Sequence, residues 1–238
     1  MILLLAAALA PPLHCEAAEP SDYAVCGHEN ELFEFRSVLP YAALEIRPLG
    51  RALTRRMDAD REGAVSRARA ARAQARREGY PYNRHMLAYD WSVLGRNWVL
   101  VSLFAEVTRY EGGGHAEDEA DTILWDIGAR RSVDTGALFG APARARLEGR
   151  VCAALRATLS GYDGADCPSI GWRQMAPKDA DGNGIFDTLA VFYTSSLYDV
   201  GRVPVDIAFE AEDLAEISDR YRRAFEVPGD RINPLPDE

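Results

Sequence analysis

Histidine is scarce in this chain of 238 residues: there are four, and no His-Glu-x-x-His pair stands among them. A Gly-x-Ser-x-Gly elbow and a Gly-Lys-Ser/Thr phosphate loop are also missing, so zincin, α/β-hydrolase and P-loop chemistry have no foothold. With a net charge of −10 the chain lacks the concentrated basic surface that phosphate backbones require, which argues against nucleic acid. Beyond the first residues no run is apolar enough to cross a bilayer, so the processed protein is expected to be soluble and not membrane-spanning. There is no internal repeat and no low-complexity linker.

What remains is an ordinary globular composition, 47% hydrophobic and 27% charged, long enough for one large domain or two small ones. Residues Met1 to Ala10 form an apolar stretch the length of a signal-peptide core, although the usual basic start is missing. Cleavage after Ala17 would leave small residues, Cys15 and Ala17, at −3 and −1. Export to the periplasm or outside the cell is therefore expected. A lipid anchor on Cys15 is disfavoured because His14 occupies a position that calls for a small residue. If Cys15 departs with the leader, Cys26, Cys152 and Cys167 remain. A bond between Cys152 and Cys167 would close a short ring worth roughly 3 kcal/mol. Cys26 is then the odd cysteine, and all three can also be read as small core residues.

The pattern along the chain predicts an α+β fold, antiparallel sheets with interspersed helices in two interleaved lobes meeting near Ala141. Residues Glu31 to Leu39 alternate as a strand, and about Ala42 to Glu78 has the composition of a helix with a break at Gly63. Two strand-like runs flank Gly95-Arg96, a hairpin signal. Further strands are expected at Ala120 to Ile127, Ile170 to Met175, Thr188 to Thr194 and Val203 to Phe209. Helices are expected at Ala143 to Leu159 and Glu210 to Phe225. The four tryptophans, Trp91, Trp98, Trp125 and Trp172, fall in strands and read as core. Charge is uneven: Arg47 to Arg77 holds ten arginines against three acids, while Asp206 to Glu238 holds ten acids against four arginines. Two solvated faces attracting each other explain this, and so does an arginine-rich dock for an anionic cell-wall polymer or lipid headgroup.

Two loops carry candidate chemistry. From Asp179 to Asp187, oxygen-bearing side chains stand at positions 1, 3, 5 and 9 with glycine at position 6, the spacing that wraps oxygen ligands around calcium. An EF-hand is ruled out because position 12 is Ala190 and the chain continues as strand. The alternative is a turn that uses Asp, Asn and Gly for their tolerance of positive φ. Three carboxylates in nine residues repel one another without a cation, which favours a structural calcium. The second loop, Gly112-Gly113-Gly114-His115, leads into Glu117 and Glu119. If the chain re-extends there, His115, Glu117 and Glu119 share one face as a metal or acid/base cluster; the alternative is a solvated structural histidine.

The Asp179–Asp187 spacing resembles the calcium loops of FG-GAP-type hairpins, which implies ligation by Asp179, Asp181, Asn183 and Asp187 through side chains and by Ile185 through its carbonyl. A wider resemblance rests on Tyr110-x-Gly112-Gly113-x-His115, the strand ending Trp125-Asp126-Ile127, the stretch Asp134-Thr135-Gly136-Ala137-Leu138-Phe139, and Ser196 to Gly201 before the last strand. These are similar to the paired extracytoplasmic domains of the anti-sigma factor RsiV and the deacetylase PdaC, over about Phe33 to Phe225, with Leu197 where the family carries proline. The resemblance implies a PdaC-like lobe over 18–140 and an RsiV-like lobe over 141–227, between the signal peptide read over 1–17 and a proline-rich tail over 228–238 that is expected to be loose. It implies a non-catalytic binding or sensor domain that meets an envelope protein, lysozyme-like, or a peptidoglycan fragment, with Gly113, Gly114, His115 and Glu117 as contacts. The deacetylase's metal motifs and the anti-sigma factor's membrane helix are absent from the sequence, so neither activity is carried over. The different-class alternative is a hydrolase of envelope polymers using His115 and nearby carboxylates.

Overall fold

A computed structural model describes residues 14–17, 22–158, 171–194 and 202–228. The first sheet has seven strands in sequence order: β1 (His14–Ala17), β2 (Tyr23–Glu29), β3 (Phe33–Pro40), β4 (His85–Arg96), β5 (Leu100–Tyr110), β6 (Glu117–Asp126) and β7 (Arg131–Val133). All neighbours pair antiparallel except β3 and β4. A parallel pair needs a long crossover, supplied here by α1 (Tyr41–Leu44) and the 32-residue α2 (Arg47–Glu78). A second sheet orders β10 (Arg202–Ala208), β9 (Thr188–Thr194) and β8 (Met175–Lys178). With α3 (Ala141–Thr158) and α4 (Ala211–Leu214), the architecture is the mixed α+β one expected.

The expected break at Gly63 does not occur. Leu49, Leu53, Met57, Ala64, Val65 and Ala68 are buried along α2, and this packing outweighs the ~1 kcal/mol that a mid-helix glycine costs. The helix stops at Gly79, whose φ of 77° is the left-handed cap and whose N–H bonds to the Ala75 carbonyl. Beneath α2 lie Phe33, Phe35, Leu87, Tyr89, Trp91, Val101, Leu103, Ala105 and Trp125, all from the odd-numbered face of the sheet. The opposite face presents Leu100 and Leu124 to a second core built from Ala143, Leu147, Val151 and Leu155 of α3 with Val191, Ile207 and Phe209. Between the sheets, Phe104 stacks on Phe192 with centroids 3.7 Å apart. Trp98, expected in the core, is instead 67% exposed at the tip of the β4–β5 hairpin.

Three further expectations change. The terminal helix is one turn only. Beyond α4 the chain runs along the second core to bury Ile217, Tyr221 and Phe225, forming bridges Phe139↔Ile217 and Phe186↔Phe225 that a continuous helix could not reach. The first of the second sheet's strands starts at Met175, after a 3-10 turn at Trp172–Gln174. And Cys26 is not left over: the β1–β2 register sets Cys15 opposite it, and the two form a disulfide. That bond occupies the Cys15 thiol that a lipid anchor would need. Cys152 is also disulfide-bonded, while Cys167, its expected partner, lies outside the described residues, as do Ser196 to Gly201.

The two cores are tied by Asp126 at the end of β6. Its buried carboxylate accepts from the Tyr221 hydroxyl at 2.8 Å and the Ala129 N–H at 2.7 Å, and pairs with Arg220 at 2.6 Å. Burial opposes ionisation, yet these partners together hold the carboxyl below its ordinary value. A carboxyl lowered by folding stabilises above about pH 4, and its contribution disappears as pH falls through the folded value. Asp126→Ala is expected to lose about 2–4 kcal/mol at neutral pH in urea unfolding, leaving the Tyr221 hydroxyl buried without its acceptor. The gap to the parent protein should narrow below about pH 4; a gap independent of pH would assign the loss to packing alone.

Candidate functional site

The aspartate loop joins β8 to β9, as expected, and is closed by its own side chains. Asp179 accepts from the N–H groups of Gly182 (2.8 Å) and Asn183 (3.0 Å) through Oδ1 and of Gly184 (2.8 Å) through Oδ2. Asp181 accepts from the Asn183 N–H, and Asn183 Oδ1 from that of Ile185. Asp187, 3% exposed, accepts from the Ala180 N–H at 2.9 Å. Gly182 and Gly184 have φ of 77° and 86°, the left-handed values the loop requires. Glu226, which spacing along the sequence could not reveal, reaches in from the C-terminal segment to accept from Asn183. Among the described residues no three carboxylate, histidine or cysteine side chains converge as a metal cluster. A carboxylate has about four acceptor positions, so one that takes backbone N–H groups still has lone pairs to offer a cation.

The loop docks on the β4–β5 hairpin. Asp179 donates its N–H to the Leu94 carbonyl at 3.0 Å, beside a register shift between Val93 and Gly95. Gly95 is thus not a turn residue, as expected from Gly95-Arg96, but a point of close approach. A Cβ there would lie 2.7 Å from Phe186 Cε1 and 2.8 Å from Asp179 Cβ. The turn itself is Asn97, whose Oδ1 accepts from Val99 and Leu100 and whose Nδ2 donates to the Ala224 carbonyl.

The glycine loop is placed quite differently. Asn83 anchors the Gly112 carbonyl at 3.1 Å, but Gly113 and Gly114 have open space around them, and His115, Glu117 and Glu119 are all exposed. Glu119 pairs with Arg109 at 3.5 Å, and Asp118 accepts from Thr108. Among the described residues, His115, Glu117 and Glu119 lie on the exposed surface and outside the walls of the clefts at α2 and β6.

A cleft of about 670 Å³ does exist, farther along the same β6 strand, where the two lobes meet. Its walls include Arg56 from α2, Asp121 and Thr122 from β6, Ser132 from β7, Asp134 and Thr135 from the following turn, and Trp172 and Arg173 from the second lobe. Asp121 forms an ion pair with Arg56; burial nevertheless raises its carboxyl above the ordinary value, with Arg56 acting against that rise. Thr122 Oγ1 donates to the Arg173 carbonyl at 2.8 Å, and Trp172 Nε1 to Glu148 at 2.8 Å, which fix the second lobe's contribution. Gly136 lets the indole lie flat on the backbone: a Cβ there would be 2.9 Å from Trp172 Cγ. The cleft therefore offers two guanidinium groups, two carboxylates, hydroxyls and an aromatic edge, in a volume suited to a small ligand. Its residues went unassigned in the sequence because they come from five elements. The one available signal was Asp134-Thr135-Gly136, already part of the family motif.

No protein-family model and no curated protein matches the chain. Among solved structures, the fold is similar to a member of the DUF3298 family from Bacteroides fragilis, with 12% identity and a TM-score of 0.52 over 88% of this chain and 95% of that one. A DUF3298 family protein from Pseudomonas aeruginosa aligns over 89% of this chain and 97% of its own at 11% identity and a TM-score of 0.43. The first likeness is one of fold. DUF3298 is a domain found in RsiV- and PdaC-like proteins.

Gly95→Ala is expected to destabilise by about 1–3 kcal/mol, because neither Phe186 nor the Asp179 backbone can retreat. Gly113→Ala, in open space, should stay within about 0.5 kcal/mol. Chemical denaturation midpoints compare the two, and equal effects would refute the close-approach reading of Gly95.

Proposed function

We propose that this protein is an extracytoplasmic, non-catalytic binding module that holds a cell-wall fragment in the cleft between its lobes. The cleft's position and donor set carry the reading: Arg56, Asp121, Trp172 and Arg173 from both lobes face one space of about 670 Å³. That size suits a saccharide-scale ligand better than the face of a whole protein such as lysozyme. Export is supported by the apolar N-terminal run and by the Cys15–Cys26 disulfide, which belongs to an oxidising compartment and requires any cleavage to fall before Cys15 rather than after Ala17. Because β6 runs from the glycine loop to the cleft, Gly113, Gly114, His115 and Glu117 serve as an outer contact. The hydrolase alternative using His115 draws no support from the geometry, since that side chain stands in the exposed loop and not among the cleft walls.

Calorimetry with a soluble disaccharide-peptide from peptidoglycan tests the reading. Trp172→Ala and Arg173→Ala are each expected to lower affinity about tenfold, as residues at the centre of an interface do. His115→Ala should cost no more than about threefold, as at the rim. The recovered ligand should be unchanged in mass. Absence of heat at millimolar ligand would sink the proposal, and a cleaved product would replace it with the hydrolase.

The aspartate loop, in this reading, takes one calcium ion in a structural role, with Asp179, Asp181, Asn183 and Asp187 offering side-chain oxygens and Ile185 its carbonyl. Support comes from the donor spacing and the positive-φ glycines at 182 and 184. Calcium added to chelator-treated protein is expected to raise the melting temperature in proportion to saturation, and Asp181→Ala should abolish the shift. An identical melt with and without calcium would leave the loop as a turn closed by its own N–H groups.

A further inference from the structure

Four of the ten arginines on α2 are engaged. Arg56 pairs with Asp121, Arg61 with Asp58, Arg67 with Glu111 and Arg72 with Glu31. These bonds hold the helix to the sheet and to itself, and they explain part of the charge run. Arg69, Arg76 and Arg77 are exposed near the far end of the helix, whereas Arg47, Arg51 and Arg55 share one groove. They follow one another at intervals of four residues on an exposed face, and among the described residues no ion pair or hydrogen bond reaches any of the three. Together with Leu44, Gly50 and Thr54 they line a shallow groove of about 480 Å³. The Thr54 hydroxyl donates to the Gly50 carbonyl at 3.0 Å, so only its acceptor side remains. The nearby acid Glu45 is drawn to Arg96 at 3.6 Å, away from the stripe.

Like charges four residues apart on a helix repel one another. A stripe of three uncompensated guanidinium groups is therefore a cost to the free protein that an anionic partner would relieve. From this geometry we infer that the groove between α1 and the first two turns of α2 docks an extended acidic segment of a partner protein. Four residues of helix advance about 6 Å, and two residues of extended chain advance about 6.6 Å. Carboxylates at alternate positions of an extended peptide thus fall in step with Arg47, Arg51 and Arg55 over three contacts. Each planar guanidinium presents paired N–H donors that match the two oxygens of a carboxylate. The half-buried Leu44 gives the peptide's uncharged residues an apolar patch to lie against. This site is separate from the interlobe cleft and draws on none of its residues.

The test uses the full chain and a fluorescent seven-residue peptide alternating threonine with three glutamates, read by anisotropy. Its isomer with the glutamates contiguous is the register control. Vesicles of anionic phospholipid and inorganic polyphosphate are the competing anions. The alternating peptide is expected to bind at least about fivefold tighter than its isomer and to weaken with added salt. Arg51→Gln should cost about fivefold, the upper end for an exposed ion pair. The triple change Arg47→Gln, Arg51→Gln, Arg55→Gln should abolish binding while leaving the melting temperature and muropeptide affinity unchanged. Equal binding of the two isomers, or binding that survives the triple change, would overturn the proposal. Capture of vesicles or polyphosphate through these arginines without peptide binding would reassign the groove to phosphate.

Discussion

One buried carboxylate, Asp126, links the first sheet to the C-terminal segment that closes the second core. It ends β6, which belongs to the first sheet, and it receives the hydroxyl of Tyr221 and the guanidinium of Arg220 from the segment after α4. An ionised group at that depth is tolerated only when every lone pair is used, so the C-terminal segment must return to it. The return places Phe225 beside Phe186, and the Phe186–Phe225 backbone bridge in turn anchors the end of the aspartate loop. Asn97 closes the same circuit by holding the Ala224 carbonyl from the tip of the β4–β5 hairpin.

The candidate sites follow from this frame. Because the second lobe is held against the even-numbered face of the sheet, Trp172 and Arg173 come to stand over β6 and β7, and a cleft opens along the seam. Because α2 covers the odd-numbered face, Arg56 meets Asp121 on that same face and adds its guanidinium to the cleft. The first turns of α2 bury Leu49 and Leu53 in the first core, while Arg47, Arg51 and Arg55 stay exposed beside Leu44 of α1. At the opposite end the buried Asp213 pairs with the partly exposed Arg146 and Arg150, which seats α4 on α3.

Local signals were read well where a strand or helix obeyed its own periodicity. Thr188 to Thr194 is strand throughout, α3 buries every fourth residue from Ala143 to Leu155, and the aspartate loop falls between two strands. They misled where a distant contact overrode them. Gly63 reads as a break but lies in a helix held down by its buried stripe. Gly95 reads as a turn but makes room for Phe186, 91 positions later in the chain. The segment after Glu210 has helical composition, yet the burial of Ile217, Tyr221 and Phe225 in separate places unwinds it after one turn.

The sequence by itself determined the α+β class, most element positions, the oxygen-rich spacing of the Asp179–Asp187 loop and the concentration of arginine along one helix. Each of these is written in neighbouring residues, within the reach of a turn of helix or a pleat of strand. Only the tertiary structure decided that Cys26 meets Cys15, that Glu226 joins the aspartate loop, that some arginines of α2 are neutralised while others face solvent, and that a cleft forms from Arg56, Asp121, Trp172 and Arg173. Those groups are brought together by sheet register and by the packing of one lobe on the other. Such relations depend on the summed burial of two cores, which no local stretch of sequence encodes.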